Sequence, residues 1–280
     1  MNLLGIDFED WYHPELIQRH LNNKNHSPTV INGIDKILDL LRKEDTNATF
    51  FVVGELLHYK PELVDKILDG GHEIAFHTMY HTRLDANDYK EKFSDELETF
   101  AKLTAKRSRG FRAPTFSLNY SSSWAVEILV NHGYLYDSSI VPAKTKLYGI
   151  SNAPEKPYKI LGSAIDKNSP EGKLIEFPLL VTCLLGKKIP AGGGFYLRTL
   201  PFKIIENALL NYEKKGFPGC FYVHSWELTP EYMPKIALPF IESFVTYHNI
   251  KKTFNLVKKL IKKYKFTSFE KFMSEKHFVL

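Results

Sequence analysis

Residues 48–76, ATFFVVGELLHYKPELVDKILDGGHEIAF, read as strand, helix and strand. ATFFVV (48–53) is apolar and rich in residues that suit a pleated surface. PELVDKILDGG starts with Pro61 at a helix entry and ends on Gly70-Gly71, past the last apolar repeat; EIAF (73–76) then turns apolar again. Two strands joined through a crossover helix form a parallel pair. Outward from this unit the alternation recurs, with strand-like runs at LLGID (3–7), GFR (110–112), YLYD (134–137), KLIEFP (173–178) and CFYVH (220–224). Between them lie helical patterns such as INGIDKILDLLRKE and DANDYKEKFSDELETFAKLTA. Seven strands with helices between predict an α/β fold, either a barrel or an open doubly wound sheet. The stretch from Val141 to Pro170 lacks periodicity and is expected to be a long excursion near the working face.

Composition narrows the class. The 280 residues are 44% hydrophobic and 25% charged, which excludes disordered and collagen-like chains. A net charge of +5 is too small to call for a nucleic-acid partner. Cys183 and Cys220 lie in apolar runs without CxxC spacing and are expected to be buried free thiols, which fits a reducing compartment. MNLLGIDFEDWYH has acidic residues where a signal peptide needs a basic start, so a cytoplasmic protein is expected, with the inner membrane surface as a further site of action. Asn47-Ala48-Thr49 has the form of a glycosylation sequon but sits at a strand entry.

Chemistry-bearing residues collect where the strands end. The first run delivers Asp7, Glu9 and Asp10; the third leads into His77 and His81; the later ones give Arg112, Asp137 and His224. On a helical turn, His77 and His81 would share one face and could chelate a metal. Two histidines and one carboxylate leave positions open for water and substrate, as a catalytic divalent site requires. Asp7 and Glu9 alternate onto one strand face, so one carboxylate could bind metal while another acts as base. His224, at a buried strand end, is either a satisfied core group or a proton donor.

Taken in order, GIDFEDWYH, TFFVVGE, GHEIAFHTMYH, GFRAPTFS, GYLYDSSI, GGGFYLRTLP and FYVHSWEL resemble the motif series of the polysaccharide deacetylases, carbohydrate esterase family 4. The resemblance runs end to end. Its C-terminal part is similar to a bacterial subgroup associated with exopolysaccharide and O-antigen gene clusters. It implies a distorted (β/α) barrel of about seven parallel strands, formed by a single domain over 1–280 with a C-terminal extension (about 240–280) docked on it. The implied activity is hydrolysis of an N-acetyl group from a sugar, with Zn2+ as the expected metal and Co2+ or Ni2+ as substitutes. By the same resemblance His77 and His81 are metal ligands, Asp7 is the general base, Arg112 orients that base, His224 is the catalytic acid and Asp137 orients His224. Most members carry two adjacent aspartates. This chain has Asp7-Phe8-Glu9-Asp10, which leaves the third ligand open between Glu9, the preferred residue, and Asp10.

Trp11, Tyr12, Phe116, Trp124, Tyr196 and Trp226 stand beside the motifs; Trp11, Phe116 and Trp226 are the expected substrate contacts, since sugar rings stack on aromatic faces. The substrate is expected to be an N-acetylated sugar, free or linked to a nucleotide or a lipid. Residues 249–266 carry seven lysines around an apolar stripe and are expected to form a helix that docks on the barrel or makes peripheral contact with an anionic membrane. Two other functions fit a chain of this kind: a catalytically silent carbohydrate-binding homologue, and a metal-free amidohydrolase of a small cyclic amide.

Overall fold

The computed structural model describes residues 1–21 and 26–276. Its strands are β1 (Asn2–Phe8), β2 (Thr49–Val52), β3 (Glu73–Phe76), β4 (Gly110–Phe111), β5 (Tyr136–Asp137), β6 (Tyr158–Ile160), β7 (Leu174–Glu176), β8 (Val181–Leu184), β9 (Lys187–Pro190), β10 (Cys220–His224) and β11 (Phe266–Thr267). The main sheet runs β10-β1-β2-β3-β4-β5-β7-β6, with every neighbouring pair parallel except the last. All seven strands expected from the sequence are therefore present and parallel. Leu179 bridges Cys220, and the Leu180 N–H donates to the Cys220 carbonyl at 2.9 Å, so the chain leaving β7 meets the far edge of the sheet. The sheet thus curls into a distorted barrel.

Covering on both faces explains the composition of these strands. β1, β2 and β3 are buried at every position, as expected of parallel strands with helices outside and packed side chains inside. Outer helices supply one apolar stripe each: Ile34, Ile37, Leu40 and Leu41 from Ile34–Lys43, and Phe93, Leu97 and Phe100 from Tyr89–Leu103. Phe76 of β3 meets Phe100 with ring centroids 4.7 Å apart.

The barrel interior is built around a charge. Arg112, fully buried, lays its guanidinium 4.0 Å from the centroid of Phe51. Gly5 of β1 makes this placement feasible, because a Cβ there would stand 2.6 Å from Arg112 Nη1. Phe269 closes the opposite end, stacking on Tyr136 at 5.2 Å and 6°. It arrives through β11, which pairs with the start of β1, and through the helix Phe269–Glu275 that follows. The end of the chain thus enters the core; residues 277–280 of the expected C-terminal extension lie outside the described residues.

Two features depart from expectation. β6 and the β8–β9 hairpin interrupt the β/α alternation between β5 and β10, in stretches too short and too polar to show a strand period. Cys183, on that hairpin, is exposed, while Cys220 is a buried free thiol. No helix among the described residues is long and apolar enough to cross a membrane.

Candidate active site

Parallel register brings the strand ends into line: Asp7 lies opposite His224 on one side and Phe51 on the other, and the next row runs Phe8, Val52, Phe76, Phe111, Asp137 and Glu176 across the sheet. Polar side chains at these carboxyl ends look into a cavity of about 440 Å3, lined by Asp7, Glu9, His77, His81, His224 and Trp226 among others. This volume suits one or two sugar units, within the range of small-molecule sites.

Glu9, His77 and His81 each offer a donor atom, all within 4.8 Å of one another and all buried. The His77 Nδ1–H donates to the Arg112 carbonyl at 2.7 Å, which leaves Nε2 as the free lone pair. Burial pushes the His77 pKa down to about 4, so the ring is neutral at pH 7 and fit to ligate. Glu9 Oε2 lies 2.6 Å from His81 Nε2 yet accepts no well-aligned hydrogen bond, although it is buried. Burial pushes the Glu9 carboxyl up, but His81, His224 and His77 outweigh it and hold the group well below the usual carboxylate range. A buried carboxylate with one unpartnered oxygen beside two imidazoles is a donor set that fits a divalent cation of the zinc class. Asp10, the alternative ligand, is turned away: its carboxylate accepts from the backbone N–H groups of Trp11, Thr29 and Ile31 at 2.9–3.2 Å.

The two histidines do not sit on a helix. Residues 77–81 form an irregular loop after β3, and Thr78 and His81 adopt φ of 58° and 55°. A β-branched threonine in the left-handed region is strained, and here the bend brings the two rings to 5.1 Å. The helical expectation was therefore wrong in geometry although the pair does meet.

Asp7 Oδ1 accepts from Arg112 Nη1 at 2.6 Å. Arg112 also donates through Nε and Nη2 to the Ser138 carbonyl and hydroxyl, both at 2.9 Å, so the guanidinium is anchored and holds Asp7 in place. On the neighbouring strand His224 Nδ1 bonds Glu227 Oε2 at 2.8 Å, and Nε2 lies 3.8 Å from Glu9 Oε1. Burial lowers the His224 pKa, but Glu227, Glu9 and Asp7 outweigh it and raise it to about 9. The ring therefore carries a proton at neutral pH. Glu227 is itself held at about 2, where His224 and Arg198 outweigh burial. Arg198 Nε bonds Glu227 Oε1 at 3.0 Å, and its remaining donors hold the carbonyls of Val245 and His248. Gly194 leaves space for this carboxylate, since a Cβ there would stand 2.2 Å from Glu227 Oε2.

The orientation of His224 by Asp137 is thus corrected: Glu227 does it. Asp137 accepts from Ser139, and burial raises its pKa beside Glu176, whose own carboxyl is pushed well above the carboxylate range by burial and by Asp137. That acid pair braces the 138–140 loop, which holds Arg112 through Ser138. Of the aromatic candidates, Phe116, Tyr196 and Trp226 line the cavity, joined by Tyr148 and Tyr222. Trp226 is mostly buried. Its Nε1 donates to Glu9 Oε1 at 2.9 Å and its ring stacks on His224 at 5.0 Å, so it braces the catalytic groups more than it covers a sugar. Trp11 is not a lining residue; it packs beside Val30, Trp226 and Ile250. Tyr12 bonds Glu55, and Trp124 packs edge-on to Phe93.

Glu227, Arg198 and Ser138 were missed from sequence. The one available signal was Glu227 three residues after His224, the spacing of a helix-start capping box, which the structure indeed forms.

Comparison with known proteins agrees with this geometry. Residues 29–136 match the polysaccharide deacetylase family, and residues 138–274 match a domain of unknown function, DUF3473. The chain is 29% identical over 112 residues to a peptidoglycan deacetylase of Helicobacter pylori, covering 39% of this chain and 37% of that protein. It is 36% identical over 87 residues to a peptidoglycan-N-acetylglucosamine deacetylase of Bacillus cereus (30% and 40%) and 44% identical over 72 residues to a chitooligosaccharide deacetylase of Bradyrhizobium (26% and 30%). The chain spans about a third to two-fifths of the length of the curated relatives it matches. In fold it is similar to a Mycobacterium smegmatis protein assigned to the polysaccharide deacetylases, over 98% of this chain and 90% of that one, with a TM-score of 0.56 at 16% identity. The PuuE allantoinase shares the fold as well, over 95% and 87%, with a TM-score of 0.52 at 12% identity. The match of residues 29–136 to the polysaccharide deacetylase family, the strand order and the convergence of Asp7, His77, His81, Arg112 and His224 agree with one another.

Proposed function

We propose that this protein is a metal-dependent carbohydrate N-deacetylase that removes an acetyl group from an N-acetylated sugar during bacterial surface polysaccharide synthesis. The observation that carries the reading is that Asp7, His224 and the Glu9–His77–His81 trio line one cavity. The relatives named as deacetylases of peptidoglycan and chitooligosaccharide support the reaction class. The C-terminal resemblance to the exopolysaccharide and O-antigen subgroup supports the pathway, with the cytoplasmic face of the inner membrane as the place of action.

Held by Glu9, His77 and His81, a divalent ion of the zinc class supplies a Lewis acid and brings the pKa of water from 15.7 toward about 7. Asp7, pinned by Arg112, takes the proton of the attacking water, a base whose contribution is typically about 10²–10⁴-fold. His224, protonated through its contact with Glu227, gives its Nε2 proton to the departing amine, which an amide cleavage needs because its nitrogen leaves poorly. Arg198 fixes Glu227 and hence the tilt of the imidazole. Phe116, Tyr148 and Tyr196 wall the cavity and offer apolar faces to a sugar ring.

The lysine-rich segment forms the helix Thr253–Lys263. Val257, Leu260 and Ile261 are buried against the barrel while its lysines face solvent, so its membrane contact in this proposal is electrostatic alone. The experiment for the reaction is acetate release from a panel of free, nucleotide-linked and lipid-linked N-acetyl sugars, for wild type and His77→Ala. Release by the wild type alone supports the proposal. Equal release by both proteins refutes the role of the trio.

A further inference from the structure

A third imidazole stands beside the metal trio with both of its nitrogens engaged. His13 is buried. Its Nδ1 accepts the Asp10 backbone N–H at 2.8 Å, so the ring proton sits on Nε2, which donates to Glu55 Oε1 at 2.7 Å. That leaves His13 no lone pair for a metal, and its place in the fold has another reason.

His13 joins the two arms that carry ligands. Asp10 directly follows Glu9, so the bond to Nδ1 fastens the backbone leaving that ligand. The ring then stacks on His81, with centroids 5.9 Å apart and 26° between planes. Glu55 extends the clasp. Its carboxylate also accepts from the Tyr12 hydroxyl at 2.8 Å, and its backbone N–H donates to the Met79 carbonyl at 2.8 Å, inside the 77–81 loop.

The two histidine ligands are held in different ways. His77 is oriented by the bond from Nδ1 to the Arg112 carbonyl. The His81 ring makes no hydrogen bond through Nδ1 among the described residues, and its backbone lies in the left-handed region at φ 55°. Packing must therefore aim it: His77 meets it edge-on and His13 meets its face.

Resting on the metal-dependent reading above, we propose that His13 is a positioning residue of the metal site, which sets the direction of the His81 ring and ties it to the Glu9 arm before an ion binds. A site assembled in advance binds its ion more tightly than one that must be ordered on binding.

The test compares zinc affinity by calorimetry and the visible spectrum of the cobalt-loaded protein for wild type, His13→Asn and His13→Phe. Asn keeps an acceptor for the Asp10 N–H and removes the ring, whereas Phe keeps a ring against His81 and removes both hydrogen bonds. Partners that orient metal ligands typically contribute about 10–100-fold to metal affinity. His13→Asn should therefore bind zinc at least about tenfold more weakly and show altered cobalt bands, which follow ligand geometry. His13→Phe should recover part of that loss. Unchanged zinc affinity and cobalt spectrum in His13→Asn would overturn the proposal, even with a lowered thermal midpoint of the metal-free protein, because His13 would then be a structural residue alone. A loss in a folded His13→Phe as large as in His13→Asn would overturn it too. If His13→Phe fails to fold, His13→Asn decides, read where its metal-free form is folded. Weakened zinc binding by His13→Asn, with no acetate release by the wild type from any N-acetyl sugar, keeps the role of His13 and speaks against the deacetylase reading. Acetate release by a wild type whose zinc affinity His13→Asn shares removes only the role of His13.

Discussion

Glu227 Oε2 lies 2.8 Å from His224 Nδ1, and the same oxygen accepts the His224 backbone N–H at 3.1 Å. One carboxylate thus sets both the charge and the tilt of the catalytic imidazole. His224, raised to about 9, is protonated below that pH, so activity that needs an acid is present there and falls as pH rises through it. Glu227→Gln removes the largest favourable contact of the imidazolium. The alkaline limb of kcat/KM should move to lower pH by about one unit or more, one unit being about 1.4 kcal/mol. A pH–rate profile checks this, and an unmoved limb would contradict the assignment.

Trp226 acts on the metal trio through Glu9. Trp226→Phe keeps an aromatic ring against His224 but deletes the donor 2.9 Å from Glu9 Oε1. Partners of this kind typically contribute about 10–100-fold to metal affinity. Zinc titration by calorimetry should show a loss of that order, with the thermal midpoint of the metal-free protein little changed.

The buried pair Asp137–Glu176 ties stability to pH. Both carboxyls are raised, Asp137 by burial and Glu176 by burial and then by Asp137. A carboxyl raised in the folded state holds its proton more tightly than in the unfolded chain. Its contribution is therefore whole below the unfolded value near about 4 and is lost as pH rises through the folded value. Glu176→Gln presents a neutral group of the same shape to Asp137. The variant should match wild type near pH 5 and exceed it at pH 8 in denaturant unfolding. A variant less stable at both pH values would show that the pair is ionised and well partnered.

Much of the fold was legible because its strands are covered on both faces and so read as apolar runs punctuated by helices. ATFFVV and EIAF became β2 and β3, and the five other expected runs became the remaining parallel strands. β6, β8 and β9 were not legible: they are three or four residues long, and β6 and β9 mix Lys with apolar residues. In the site, Asp7, His77, His81, Arg112 and His224 come together because all lie at or just after the ends of strands of one sheet. Asp137 was given the role of Glu227 by the family resemblance, and only tertiary packing tells which carboxylate reaches His224. Trp11 was lost for a related reason, since the turn at Asp10 sends its ring outward into a small satellite cluster.

Metal-linked turnover at the Asp7–His224 floor is the central claim, and acetate release under chelation tests it most directly. Wild type stripped of metal should release no acetate from an N-acetyl sugar and regain release on adding zinc. Asp7→Asn should still bind zinc but turn over about 10²–10⁴-fold more slowly. Full release by the chelated enzyme, or wild-type rates from Asp7→Asn, would contradict the account.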